Sequence, residues 1–349
     1  MCIRDSSKLL LIALSISLFA SCSSNDDDDT PKGAYDNGFF ILNEGSKSLG
    51  TISFSSNDLS SFTKDVYKTE NGTDAVGGYL QNIFYSGDKA YIIAGGSNLI
   101  NVVNRYTFKL IAKIDSNLRA PRYGVVKDGK AYVINAGEYS YENPATGDTD
   151  DYIAIINLAT NTVESKVALN STANRVIEED GKLYITDTYN DKLLIYNIAT
   201  KALETPVTIG LDGDSIEEEG GVIFILRKPY QGAGEIVKVK ISDKSISRIA
   251  LPASIGEAGF LDIEDNKVYY TASSSVYSIS TEATAAATTA LFDSKAAAYL
   301  YGFTVKDDRI YVADAKFGAD SKAYIFNLTG VLQKELTTGA GSNGFYFND

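Results

Sequence analysis

The chain has 349 residues, 44% hydrophobic and 22% charged, with a net charge of −13, a globular composition with an acidic balance. It has no His, and its two Cys are Cys2 and Cys22, which excludes Ser-His-Asp and Cys-His catalysis, His-ligated zinc and a disulfide within the folded region. The acidic surface repels phosphate backbones and argues against nucleic acid as a partner.

The apolar run Leu9 to Ala20 follows Arg4 and Lys8 and is too short to span a bilayer as a stable helix. It has the form of a secretory signal core. It ends in Leu18-Phe19-Ala20-Ser21-Cys22, which resembles a bacterial lipobox with Phe19 where Leu is preferred. On that resemblance residues 1–21 are a signal peptide and Cys22 becomes the lipidated first residue. The alternative is a plain signal peptide with an incidental cysteine. Residues 22–36 carry Asp26-Asp27-Asp28-Asp29, which repel one another and offer nothing to a core, so they form a solvated tether. This stretch resembles the acidic signal that sends some Gram-negative lipoproteins to the outer face of the outer membrane. A spacer without a sorting role is the bland reading.

From residue 37 onward one unit recurs. Its clearest copies are Asp88-Lys89-Ala90-Tyr91-Ile92-Ile93, Gly129-Lys130-Ala131-Tyr132-Val133-Ile134, Gly181-Lys182-Leu183-Tyr184-Ile185-Thr186 and Asp308-Arg309-Ile310-Tyr311-Val312-Ala313. Asn266-Lys267-Val268-Tyr269-Tyr270 is a fifth, and looser copies centre on Phe40 and Phe224, so the seven aromatic anchors lie 51, 41, 52, 40, 45 and 42 residues apart. Each copy is a turn signal followed by β-branched and aromatic residues, a hairpin pattern. One strand precedes each anchor strand and two short ones follow. That predicts four strands per unit of about 45 residues, the period of a propeller blade.

Residues 37–349 accommodate seven such units. The C-terminal Ser342-Asn343-Gly344-Phe345-Tyr346-Phe347 resembles the first strand Tyr301-Gly302-Phe303-Thr304-Val305, whereas the N-terminal copy enters at its second strand. The expected fold is therefore all-β: a seven-bladed β-propeller of four-stranded antiparallel blades, closed by a C-terminal strand in the first blade. A β-helix has shorter repeats, and paired sandwiches would not repeat seven times. The Ala-rich run 281–290 has helical propensity, but its place in the repeat makes it the turn and outer strand of a blade.

Lipobox, acidic tether and the Lys-(Ala/Leu/Val)-Tyr-(Ile/Val) repeats together resemble the YncE-like surface propeller lipoproteins over essentially the whole chain. Within that group the BtuG-type proteins capture cobalamin and sit on a TonB-dependent transporter. The resemblance thus implies an outer-membrane, lipid-anchored, non-catalytic protein, with cobalamin or a related corrinoid as ligand and such a transporter as partner. It transfers no ligand residue, because no short motif separates cobalamin binders from their relatives.

The residues themselves place a candidate site on the axial loop face, where second-to-third-strand loops and inner-strand entrances converge. The candidates are Asn43, Glu44, Asn82, Arg122, Asn174, Arg175, Tyr189, Tyr230, Tyr301, Phe317 and Asn343, with Tyr139 and Tyr141 in the longest insertion, Asn135 to Asp150. Tyr gives stiff contact area with a polar tip, while Arg and Asn read amides and phosphates. The rival expectation is that each Tyr packs on a neighbour and each Arg pairs with an Asp. Glu44, Glu138, Asp187 and Asp314 share this face, but their spacing singles out no catalytic pair. Acidic turns at Gly147–Asp151 and Asp212–Asp214 lack calcium-loop spacing. The sequence calls for no cofactor and no metal. A propeller docking a protein or glycan is the alternative function, and a hydrolase or lyase is less favoured.

Overall fold

The computed structural model describes residues 31–47, 49–137, 150–229, 233–296 and 299–348. The signal and Cys22 lie outside them, as do Glu138, Tyr139, Tyr141 and Tyr230. The described chain forms seven antiparallel sheets, each with a four-strand path from the axis outward, arranged as a propeller. Blade two runs through strands Leu80–Ser86, Lys89–Ala94, Leu99–Asn104 and Leu110–Ile114. Blades three to seven begin with inner strands Pro121–Lys127, Ala173–Glu179, Gly213–Glu219, Ala258–Glu264 and Leu300–Lys306. Each inner strand packs beside the next around the ring.

Blade one is built from both ends of the chain. Its inner strand is Ser342–Asn348, which pairs antiparallel with Gly38–Asn43, Tyr346 facing Phe40. That strand also packs against the inner strands of blades seven and two, so it closes the ring. The expected closure is thus present. Asn348 locks it: fully buried, its amide donates to the carbonyls of Tyr35 (2.6 Å) and Arg105 (2.9 Å), and its oxygen accepts from Arg105 Nε.

The repeat exists because blades stack face to face. The second strands are covered on both sides, so they are nearly continuous apolar runs rather than alternating ones. The outermost strands face water, and Thr162–Ala168 is mostly exposed. The hydrophobic residues divide into seven clusters, one between each pair of neighbouring blades. Each anchor enters the cluster shared with the following blade: Phe40 lies between blades one and two, Tyr91 between two and three, and Tyr311 between seven and one. All seven anchors are no more than 4% exposed. A core that is only completed by the next copy is why the unit must repeat until the ring closes.

The turns joining inner and second strands carry matching chemistry. Asp128-Gly129, Asp180-Gly181, Gly220-Gly221, Asp265-Asn266 and Asp307-Asp308 all have both residues at positive φ, between 48° and 80°. Two-residue hairpins of this hand match the twist of their strands, and Asp, Asn and Gly are the residues that tolerate it. These tight turns occupy one end of the blades and leave the other end to the longer loops.

Two local features were not legible in the repeat. A short helix, Val66–Asn71, follows the two-residue outer strand of blade one, and Asp65 caps it through the amide of Lys68. Blade four splits its outer edge into Ala202–Leu203 and Val207–Thr208, both pairing with Lys192–Asn197. The Ala-rich run forms turns and bends, as expected of the turn, but it does not supply the outer strand, which is Phe292–Asp293 just beyond it.

Candidate axial binding site

Every inner strand starts at the loop end of the ring and runs down the axis. The residues just before and at these starts therefore converge around a basin of about 1000 Å³. A narrower channel of about 220 Å³ continues below it. Arg122, Asn174, Arg175, Tyr301 and Asn343 all line the basin, together with Gln81, Tyr123, Asp214, Lys228, Phe260 and Tyr299. Asn82 lines the channel instead.

One wall, from blades three to five, is a polar belt. Arg122 Nη1 donates to Asn174 Oδ1 (3.4 Å), and Asn174 Nδ2 donates to Asp214 Oδ1 (2.9 Å). Lys228 Nζ lies 2.6 Å from Asp214 Oδ2, and Arg175 Nε lies 3.8 Å from Oδ1. The Arg175 guanidinium sits over the Tyr123 ring, 4.1 Å from its centroid. Burial alone would raise the Asp214 carboxyl; Lys228 and Arg175 outweigh it and hold it below the usual carboxylate value. Burial would lower Arg175, but Tyr123, Asp214 and neighbouring acids raise it, so it stays cationic.

The opposite wall is aromatic. Tyr299, Tyr301 and Phe317 form a mutual cluster with ring centroids 5.3 to 6.4 Å apart. Tyr301 Oη donates to Glu44 Oε2 (2.8 Å), and Gln81 Nε2 donates to Glu44 Oε1 (3.4 Å). Burial raises the Glu44 carboxyl, partly opposed by those two hydrogen bonds. Burial and the adjacent Glu44 also push the Tyr301 phenol up, so it remains a hydrogen-bond donor. Asn343 Nδ2 donates to the carbonyl of Leu80 (2.8 Å), which ties the closing strand to blade two at the basin floor.

Other sequence candidates sit elsewhere. Asn43 is fully buried and does not reach the basin: its amide donates to Thr51 Oγ1 (3.1 Å) and Ser53 Oγ (3.2 Å), while Ser342 Oγ donates to its oxygen. It belongs to a recurring device. Asn135, Asp187 and Asp314 also end second strands, are buried, and accept the amide hydrogens of Arg119, Thr172 and Tyr299 on the segments entering the inner strands. Asp187 and Asp314 thus serve as caps rather than as open carboxylates. The insertion expected from Asn135 begins later, because Asn135 is the last residue of a strand. Tyr189 is 39% exposed on the rim outside the basin, and Phe317 is 57% exposed at its edge. At the acidic turns, Asp150 pairs with Arg119 (3.1 Å), and Asp151 accepts the Ala173 amide (2.7 Å). Among the described residues no cluster of three His, Cys, Asp or Glu is arranged to hold a metal ion.

Two channel residues escaped the sequence reading. Glu217 and Asp262 stand opposite anchors Phe224 and Tyr269, where blades two to four place Phe84, Val125 and Ile177. The signal was an acid at an apolar register position. Burial and the neighbouring Asp262 raise the Glu217 carboxyl well above its usual value, and burial pushes Asp262 up to about 7.

No curated protein matches this sequence. Solved propeller structures match it along most of its length. The computationally designed Ika8 protein aligns with a TM-score of 0.57 at 12% identity, covering 91% of this chain and 92% of that one. Apo AztD from Citrobacter koseri aligns at 0.55 and 12% identity, covering 88% and 96%. The dihydro-heme d1 dehydrogenase NirN in complex with DHE aligns at 0.58 and 10% identity, covering 91% and 76%. At such identities the likeness concerns the fold alone. One family model, described as a domain of unknown function (DUF5074), matches residues 37–322, and the chain belongs to that family.

Proposed function

We propose that this chain is a non-catalytic surface lipoprotein, anchored in the outer membrane through Cys22, that captures a corrinoid such as cobalamin in the axial basin. It then hands the ligand to a TonB-dependent transporter. The observation that carries this reading is the basin itself: about 1000 Å³, cationic and amide-bearing on one wall, aromatic on the other. A corrinoid is bulky, partly apolar and fringed with amides, so it fits a wide cleft with dispersed polar partners better than a small catalytic pocket does. The resemblance to the YncE-like and BtuG-type propellers supports the same assignment. Isothermal titration with cyanocobalamin tests it. One-to-one binding at micromolar concentration, with colour retained on the protein, is the expected result; no heat and no retained colour sinks it. Cys22→Ser should abolish lipid labelling and release the protein from membranes, and a labelled mutant in the membrane fraction refutes the anchor.

A second reading has its own observation. Leu49, Tyr79, Tyr189, Leu211, Tyr299 and Phe317 are each at least 39% exposed, and all lie in loops at the basin end of the ring. A rim of this kind suits docking of a protein or glycan. A pull-down that recovers a partner unrelated to vitamin uptake favours it.

A further inference from the structure

The chain as a whole carries a net charge of −13, yet three cations, Arg122, Arg175 and Lys228, gather in the basin. On their wall the Asp214 carboxylate is committed to Lys228 at 2.6 Å. Arg175 reaches the same carboxylate only at 3.8 Å, and its buried Nε has no hydrogen-bond acceptor. Arg122 has a single long hydrogen bond, to Asn174, and no carboxylate in ion-pair range among the described residues. A buried donor without an acceptor costs free energy, and like charges held together cost more. Tyr123, Asp214 and Glu217 offset part of the charge on Arg175, and Glu44 acts on Arg122 from a distance, but Arg175 Nε keeps no acceptor and Arg122 no ion pair among the described residues. An anion seated between the two guanidinium groups would supply both.

The chemistry narrows the anion. A carboxylate has two oxygens in one plane and is satisfied by one guanidinium fork. Here two guanidinium groups project from neighbouring inner strands, Pro121–Lys127 and Ala173–Glu179, and converge on one space. A tetrahedral oxyanion presents oxygens in several directions and accepts from both. The aromatic wall of Tyr299 and Tyr301, with Phe317 packed against both, faces this wall across the basin. A ligand that spans the basin therefore joins an apolar, ring-bearing body to its anionic group.

We propose that Arg122 and Arg175 form an anion subsite that selects ligands bearing a phosphate monoester or diester beside an apolar ring system. This rests on the axial basin being the binding face, but not on the ligand being a corrinoid. Phenyl phosphate, phenylacetate and benzyl alcohol are suitable probes, titrated against the intact protein by NMR.

Phenyl phosphate should bind saturably, more tightly than phenylacetate, and benzyl alcohol most weakly. Raising sodium chloride from about 50 mM to about 500 mM should weaken phenyl phosphate binding, because the contact is electrostatic. Arg122→Gln should weaken it about tenfold and Arg122→Lys less, while both variants melt like the parent, since Arg122 holds no structural ion pair. Absence of phenyl phosphate binding, equal binding of all three probes, or an unchanged titration in Arg122→Gln overturns the subsite. Phenylacetate matching phenyl phosphate overturns the phosphate assignment. Cyanocobalamin separates the two readings. If phenyl phosphate binds and cyanocobalamin does not, the corrinoid assignment fails and the subsite stands. If cyanocobalamin binds equally to the parent and Arg122→Gln, the corrinoid stands and the subsite fails.

Discussion

Replacing Phe345 by Ala probes the seam that turns an open stack of blades into a ring. Phe345 lies on the closing strand, is 6% exposed, and sits in the cluster between blades seven and one. Its ring is 5.4 Å from Tyr311 and 6.3 Å from Phe39. Truncating a buried Phe costs about 3–5 kcal/mol in transfer and cavity energy, with a further share from lost ring pairs. That is a large part of a total stability of about 5–15 kcal/mol. With a urea m-value of about 3 kcal/mol/M, the midpoint should fall by about 1 M or more. Phe317→Ala is the matched control, because the same side chain there is 57% exposed on the rim and its loss should cost under about 1 kcal/mol. Urea titration followed by far-UV circular dichroism reads both. If Phe345→Ala and Phe317→Ala unfold at the same midpoint, the closing strand does not hold the ring and the reasoning fails.

Two further outcomes test the scaffold and the channel. At Gly302 a Cβ would lie 2.8 Å from the Asn343 carbonyl carbon, so Gly302→Ala should force the inner strands of blades seven and one apart at a cost of about 1–3 kcal/mol, read by thermal unfolding. A melting temperature equal to the parent's would show that this close approach is dispensable. Burial raises the Asp262 carboxyl to about 7 in the fold, so its favourable contribution is fully present below the unfolded carboxylate value and is lost as pH rises through about 7. Asp262→Asn should therefore flatten the decline in stability between about pH 5 and pH 8, measured as urea midpoints at each pH. An identical decline in the variant would place the titration elsewhere.

The fold was legible because its physics is periodic. A Tyr or Phe that must reach into the next blade, preceded by a hairpin turn that demands positive φ, leaves the same short signature in blades two to seven. The closing strand was legible for a related reason: Ser342 to Phe347 repeats an inner-strand pattern that the first blade lacks. The site was less legible. Inner-strand entrances such as Arg122, Asn174, Arg175 and Tyr301 could be placed at the axis from topology alone. Asn43, Asp187 and Asp314 have the same sequence character, yet they turn inward: the two aspartates cap neighbouring backbone amides and Asn43 accepts the Ser342 hydroxyl. Sequence gives the polarity of such a residue but not the direction of its side chain at a strand end. Glu217 and Asp262 went unnoticed because an acid within an inner strand looks like an ordinary solvent-facing residue until the register places it opposite a buried anchor.

The claim at the centre of this account is that the ligand sits over the axis, between the cationic and aromatic walls. Hydrogen–deuterium exchange of the intact protein, with and without saturating cyanocobalamin, tests it most directly. The account predicts slowed exchange at the inner-strand entrances around residues 119–123, 173–175, 213–214 and 299–301, with the outermost strands unchanged. Protection confined to the outer strands, or no protection anywhere, would contradict it.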